Sequence, residues 1–243
     1  MRLTRIFVDE PLETGREQRL GAAAAAHVAR VLRLGAGDEL TVFDGRGGEY
    51  PATIIESRGT LLRVRIGTHR DLERESTLRI TLAQGVSRGE RMDWVVQKAT
   101  ELGVAAIVPL ITERSVVRLD TRQAGKRRAH WRAIVVAACE QSGRNRLPEV
   151  LVPQTLAHWL ETAPRDEPRL LLDPTASSGM RARGAMSAVT LLIGPEGGLS
   201  PAERSLAMQA GFNALRLGPR VLRTETAAIA ALSALQALQG DAG

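Results

Sequence analysis

The sequence predicts two units in series: a small β-rich one over the first seventy residues, and an α/β domain with a mostly parallel sheet from residue 77 onward. Three observations carry this reading. Residues 60–66 alternate apolar Leu62, Val64 and Ile66 with Arg63 and Arg65, the period-2 pattern of a half-buried strand. From residue 77, short apolar runs alternate with longer helical patterns, which implies parallel strands covered by helices. Between the two lies the charged run Arg70-Asp71-Leu72-Glu73-Arg74-Glu75-Ser76, read as a solvated linker, so the domains are drawn at 1–72 and 77–243.

In the first unit the pattern over 21–34 is helical, with Gly35 as its C-cap. Residues 39–44, 49–56 and 60–66 read as strands, separated by the Gly45-Arg46-Gly47-Gly48 cluster and the Ser57-Arg58-Gly59 turn. In the second unit, 78–83 is a strand and 88–102 a helix with Met92, Val95, Val96, Ala99 and Leu102 on one stripe. A buried strand at 104–111 and a helix at 124–141 with a basic start follow. Further strands fall at 170–173, 189–193 and 214–217, and further helices at 201–210 and 225–239.

The 243 residues, 44% hydrophobic and 25% charged, have the composition of a folded chain and argue against disorder. No run approaches the length of a membrane helix, and Asp9 and Glu10 stand where a signal peptide needs its apolar stretch. The single cysteine, Cys139, admits no intramolecular disulfide and no cysteine-based zinc site, which fits a reducing cytoplasm. His27, His69, His130 and His158 lack metal-ligand spacing, so no metal is expected. The chain carries 33 Lys and Arg against 27 Asp and Glu, and only Lys98 and Lys126 are lysines. Arginine forks suit phosphate and point to a polyanionic partner; a GC-rich coding sequence would give the same excess. An aromatic content of 3% is too low for a base-stacking platform, so a nucleic acid would be gripped by charge and shape.

Two strand-to-loop junctions concentrate candidate chemistry. In the first, Leu191-Leu192-Ile193 runs into Gly194-Pro195-Glu196-Gly197-Gly198-Leu199, and Ser200, Pro201 and Glu203 then form a capping-box helix start. The spacing is neither a dinucleotide fingerprint nor a P-loop. In the second, Leu215-Arg216-Leu217 enters Gly218-Pro219-Arg220-Val221-Leu222-Arg223, and a long helix leaves it through Thr224 and Glu225. Each loop alone reads equally as a capped turn or, in the second case, as a charged loop with Thr224 capping the last helix. Together, after neighbouring strands, they suggest a shared pocket at the carboxyl ends of a parallel sheet.

These residues carry a family resemblance. Leu192 to Ser200 and Leu217 to Ala227 resemble the S-adenosylmethionine loops of the SPOUT (trefoil-knot) methyltransferases, and more narrowly of the RsmE family, which methylates uracil N3 in 16S ribosomal RNA. Ser87 to Met92, Gln97 to Val104 and Ala137 to Arg146 match the same family. Arg30-Val31-Leu32-Arg33 and Phe43-Asp44-Gly45 fit its PUA-like RNA-binding β-barrel, so the likeness spans nearly the whole chain, more loosely at 151–169 and 174–188. The resemblance implies a C-terminal SPOUT domain with a deep trefoil knot and a homodimer whose sites are completed across the interface. It implies cofactor contacts from Leu172, Ile193, Gly194, Glu196, Gly197, Leu217, Gly218, Leu222 and Arg223. The implied substrate is one uridine near the decoding centre of the small ribosomal subunit, modified during ribosome biogenesis.

Uracil N3 carries a proton at neutral pH, and its loss spreads negative charge over O2 and O4, so a base or a stabilising cation is required. Glu225 is the expected base and Arg223 the expected cation, unless the two simply pair with each other. Cys139, in an apolar helix, reads as core. For RNA, Arg144, Asn145 and Arg146 are expected to be exposed beyond a helix end at Gly143, as a phosphate clamp or a solvated turn, with Arg2 and Arg5 beside the first strand. The rival readings are a SPOUT enzyme acting on a ribose 2′-hydroxyl and a non-catalytic ribosome-binding or assembly protein.

Overall fold

The structure is a computed structural model and describes residues 4–115, 120–180 and 185–243. The chain divides into two compact units, Met1–Glu75 with Cys139–Leu147, and Ser76–Ala138 with Pro148–Gly243. The sequence reading leaves residues 139–147 in the second domain, whereas they group with the first unit, because side chains far apart in sequence bind them there. Glu140 Oε1 accepts the Phe7 N–H at 3.0 Å, and Arg74 Nη1 donates to the Gly143 carbonyl at 2.7 Å.

In the first unit β1 (Arg5–Phe7), β2 (Glu17–Leu20), β3 (Glu39–Phe43), β4 (Tyr50–Arg58) and β5 (Leu61–Ile66) form one sheet in the order β1-β3-β4-β5-β2. β1 pairs parallel with β3, and the other pairs are antiparallel. All five strands send apolar side chains into one core, among them Ile6, Leu20, Val42, Ile54 and Leu62, so the sheet curves as a half-barrel. The helix expected over 21–34 is α-helical only at α1 (Ala22–Ala26) and widens into a π-helical stretch over His27–Leu32. It ends at Arg33, left-handed at φ 56°, whose N–H reaches back five residues to the Val28 carbonyl, so Gly35 is not the cap. β2 escaped the sequence reading because Glu17 and Arg19 leave it with a single buried side chain, Leu20.

In the second unit the chain runs β6 (Arg79–Gly85), α2 (Glu90–Glu101), β7 (Ala106–Ile111), α3 (Thr121–Ser142, its residues from Cys139 on belonging to the first unit), β8 (Glu149–Val150), β9 (Gln154–Thr155) and α4 (Leu156–Thr162). It continues through β10 (Arg169–Leu172), β11 (Ala188–Ile193), α5 (Pro201–Gln209), β12 (Asn213–Leu215) and α6 (Thr224–Gln239). The sheet order is β12-β10-β11-β6-β7-β8, with β9 also on β7, and every pairing is parallel. Its central strands are predominantly apolar and buried because helices cover the sheet: Leu82, Ile107, Leu191 and Leu192 are all fully buried. Of the predicted α2 stripe, Met92, Val95, Val96 and Ala99 are buried, while Leu102 is the half-buried C-cap beyond the helix end. The capping box at Ser200 and Glu203 forms as read from the sequence. α4, absent from the sequence reading, is capped by the Thr155 side chain and buries Leu156, Trp159 and Leu160.

Candidate functional site

The loops that follow β10, β11 and β12 meet at the carboxyl ends of their strands and enclose a cavity of about 780 Å³. Strand order explains the meeting. β10 sits between β12 and β11, so the three loops that leave them are lateral neighbours. Of the residues expected from sequence, Leu172, Ile193, Gly194, Glu196, Gly197, Leu217, Leu222, Arg223 and Glu225 all line the cavity. Gly218 does not line it; it turns the chain behind Leu217 at φ 66°, a left-handed conformation that favours glycine.

The β11 loop is folded tightly onto itself. A Cβ at Gly194 would come to 2.9 Å from the Leu199 nitrogen and 3.0 Å from the Gly198 carbonyl carbon, so only glycine lets the strand turn so sharply. The Thr224 hydroxyl donates to the Gly194 carbonyl at 2.7 Å and accepts from Gln84 Nε2 at 2.9 Å. Thr224 is therefore a tie between β6, the β11 loop and α6, and not the cap considered for it; the N-cap is Arg223, which makes no side-chain capping bond. From the other side Arg114 Nη1 donates to the Gly197 carbonyl at 3.1 Å.

Three carboxylates line the cavity, and two arginines serve them. Asp173 Oδ2 lies 2.5 Å from Arg204 Nε, while its Oδ1 accepts from the Thr175 N–H and hydroxyl. Arg91 at the start of α2 bridges the other two, with Nη1 2.9 Å from Glu196 Oε1 and Nε 3.9 Å from Glu225 Oε1. Burial works against the charge on Glu196. The Arg88 N–H at 3.0 Å, its own N–H and the Arg91 fork outweigh it, holding the carboxyl below the usual carboxylate range. Glu225 Oε2 is buried with no hydrogen-bond partner. Glu225 thus pairs with Arg91, and not with Arg223, which makes no ion pair among the described residues. In the sequence Arg91 stands out only as part of the Ser87 to Met92 family motif; its distance of more than 100 residues from Glu196 and Glu225 hides its role. A buried acceptor left free beside a cavity is the arrangement a proton acceptor needs.

The residues expected to grip RNA fare differently. Arg2 lies outside the described residues. Arg144 and Asn145, expected to be exposed, are buried, at 3% and 0% exposure. Arg144 forms a close ion pair with Glu75, and Asn145 Nδ2 donates to the Leu72 carbonyl at 2.5 Å. Arg5 is ion-paired with buried Glu49, donates to Asn145 Oδ1 at 2.5 Å, and stacks its guanidinium 4.8 Å over the Phe43 ring. These three side chains hold the first unit together and present no free fork to a phosphate. Arg146 is exposed, paired with Glu73 at 2.6 Å. The run 70–76 is correspondingly no simple solvated linker, since Glu73, Arg74 and Glu75 are the partners of this cluster. Cys139 is core, its thiol pushed up to about 12 by burial.

Comparison with known proteins agrees with this geometry. Residues 74–236 match the RNA methyltransferase domain family, and residues 20–67 the RNA methyltransferase PUA domain. Ribosomal RNA small subunit methyltransferase E of Buchnera aphidicola is 34% identical over 99% of this chain and 98% of its own length. That of Bacillus subtilis is 31% identical over 88% and 89%. Among solved structures, a Legionella pneumophila protein described as a methyltransferase, with bound SAM, superposes with a TM-score of 0.95 at 44% identity, covering 99% of this chain and 100% of its own. The Neisseria gonorrhoeae ribosomal RNA small subunit methyltransferase E, bound to S-adenosyl methionine, gives 0.91 at 38% identity, covering 98% and 99%. With its half-barrel, its parallel sheet and its three-loop cavity, the chain belongs to the ribosomal RNA small subunit methyltransferase E family of RNA methyltransferases.

Proposed function

We propose that this protein transfers a methyl group from S-adenosylmethionine to N3 of one uracil in 16S rRNA, near the decoding centre of the small subunit. Membership of the family makes it a SAM-dependent small-subunit rRNA methyltransferase. The choice of N3 rests on one observation above all, the unpartnered buried oxygen of Glu225 at the edge of the cavity.

The cavity suits the cofactor. Leu172, Ile193, Leu217 and Leu222 offer apolar walls to an adenine, the Gly194 turn lets backbone come close, and the carboxylate of Glu196 suits a cation. Its volume falls in the range of small-molecule sites. When bound, S-adenosylmethionine supplies an electrophilic methyl group on a positive sulfonium. The protein then has to position the nucleophile, remove its proton and stabilise the charge that develops. Glu225, held through Oε1 by Arg91, presents Oε2 to accept the N3 proton. Arg223 stabilises the negative charge spread over the uracil oxygens. Arg91 keeps Glu225 and Glu196 in one frame, so the cofactor loop and the base keep a fixed spacing.

The same reading assigns RNA binding to residues 1–72 and catalysis to residues 77–243, the latter with a trefoil knot and acting as a homodimer in the cytoplasm. Among the described residues no helix is long and apolar enough to cross a membrane, and no cluster of potential metal ligands is present. The test uses labelled S-adenosylmethionine, the purified protein and small subunits from cells lacking the enzyme, followed by nucleoside mass spectrometry. Label in 3-methyluridine is the expected result. Label in a 2′-O-methylated nucleoside overturns the N3 assignment, and failure to bind S-adenosylmethionine, with rRNA binding intact, favours a non-catalytic ribosome-binding role.

A further inference from the structure

We propose that the mouth of the loop cavity is a phosphate-binding rim, in which Arg216 and Arg220 grip the RNA backbone flanking the reacting nucleotide. This rests on the RNA methyl-transfer reading above and adds to it where the RNA is held.

Among the described residues, six arginines and three carboxylates line the cavity. Arg91 and Arg204 serve all three carboxylates, and Arg114 is committed to the Gly197 carbonyl. Arg216, Arg220 and Arg223 remain. All three are exposed, and among the described residues none pairs with a carboxylate. Where a carboxylate lies within reach, as Glu17 does for Arg63 and Arg65, Glu167 for Arg79 and Glu75 for Arg144, arginines of this chain pair with it. A run of unmatched guanidinium groups on one loop repels itself unless an anion lies across it, and forked cations suit phosphate in particular. Arg223, two residues before Glu225, is assigned to the reacting centre above; Arg216 and Arg220 stand on either side of the Gly218 turn and also line the cavity.

A second observation points to a nucleic acid and away from a simple anion. Val221, between Arg220 and Leu222, is 81% exposed, far more than any other large hydrophobic side chain among the described residues. An apolar tip set among cations has nothing to offer an inorganic ion, whereas RNA presents base and sugar faces between its phosphates. The first unit cannot supply this grip through Arg5 and Arg144, because both are ion-paired and buried.

The experiment measures binding of the full-length protein to purified 16S rRNA over a range of KCl concentrations, with the variant R216A/R220A and, separately, Val221→Ser. Removing one arginine–phosphate pairing should reduce the slope of log affinity against log salt by about 0.7 to 0.9. The double variant should therefore lower the slope by about 1.4 to 1.8, with affinity for S-adenosylmethionine by calorimetry within about twofold of the parent. Val221→Ser should weaken binding about three- to tenfold and leave the slope unchanged, because the interaction it removes is apolar. An unchanged slope in R216A/R220A overturns the rim. So does a shift in its sedimentation with an unchanged slope, which would assign these arginines to a second copy of the chain, and so does loss of cofactor affinity in step with RNA affinity. Methyl transfer by the parent to small subunits is followed in parallel: if the parent transfers and the slope is unaltered, the rim alone fails, and if the parent transfers nothing, the reading beneath it fails.

Discussion

The two units use the same side chain in opposite ways. In the first, Arg5 and Arg144 are buried and each is closed by a carboxylate, Glu49 or Glu75, that lies about 45 or 70 residues away in sequence. In the second, two arginines lock the carboxylates of the cavity and three others stand open around its mouth. Buried pairs fix geometry, because removing one partner strands the other charge where water cannot reach it. Open guanidinium groups are available to a ligand. Arginine content, the strongest compositional signal in the chain, thus divides into a structural and a functional share that local sequence does not distinguish.

This contrast can be broken most severely at Glu49, whose side chain is only 4% exposed. Arg5→Ala should destabilise the protein by about 3 kcal/mol, with Arg74, 3.5 Å away, softening the loss. Chemical denaturation would measure it, and a loss below about 1 kcal/mol would remove the pair from the structural share. The pH dependence follows from the same pair. Burial opposes the Glu49 charge, but the hydrogen bond and charge of Arg5, helped by Arg74, hold its carboxyl below the usual range. A carboxyl depressed in the folded state stabilises above its unfolded value and loses that contribution as pH falls through the folded value. Glu49→Gln should accordingly be less stable than the parent at neutral pH and show a flatter loss of stability on acidification.

On the functional side, Glu225→Gln should lower turnover about a hundredfold or more while cofactor affinity holds, as expected when a general base is removed. Equal turnover would leave its free oxygen without a catalytic part. Gly194→Ala drives a methyl group into the backbone of its own loop. Overpacking of about 1–3 kcal/mol should weaken S-adenosylmethionine binding by roughly 5- to 150-fold, read by calorimetry. The smallest effect sharpens the comparison. Arg146→Ala removes an exposed pair with Glu73 and should cost less than about 1 kcal/mol. Set beside Arg144→Ala two residues earlier, it shows how completely burial, and not residue type, sets the outcome.

Much of the fold was legible locally. Strand alternation at 60–66, the α2 stripe and the Ser200–Glu203 capping box each depend on neighbours within one turn or two residues, and each forms as read except for Leu102, which falls past the end of α2. The glycine-rich loops were legible too, because glycine before a helix start reports a backbone constraint directly. What failed did so for want of distant partners. Arg144 and Asn145 follow a helix end and look exposed until Glu75 and Leu72 close over them. Thr224 looks like a cap until Gly194 and Gln84 claim its hydroxyl. Arg91 looks like an ordinary first-turn residue until two carboxylates from other loops converge on it.

The sequence by itself therefore determined the parallel sheet and two of the three loops that form the cavity, since periodicity and glycine placement act over a few residues. Only the tertiary structure decided which arginines are bound and which are open. The field at a charged group is set by whatever the fold brings within a few ångströms, and nothing along the chain records that distance.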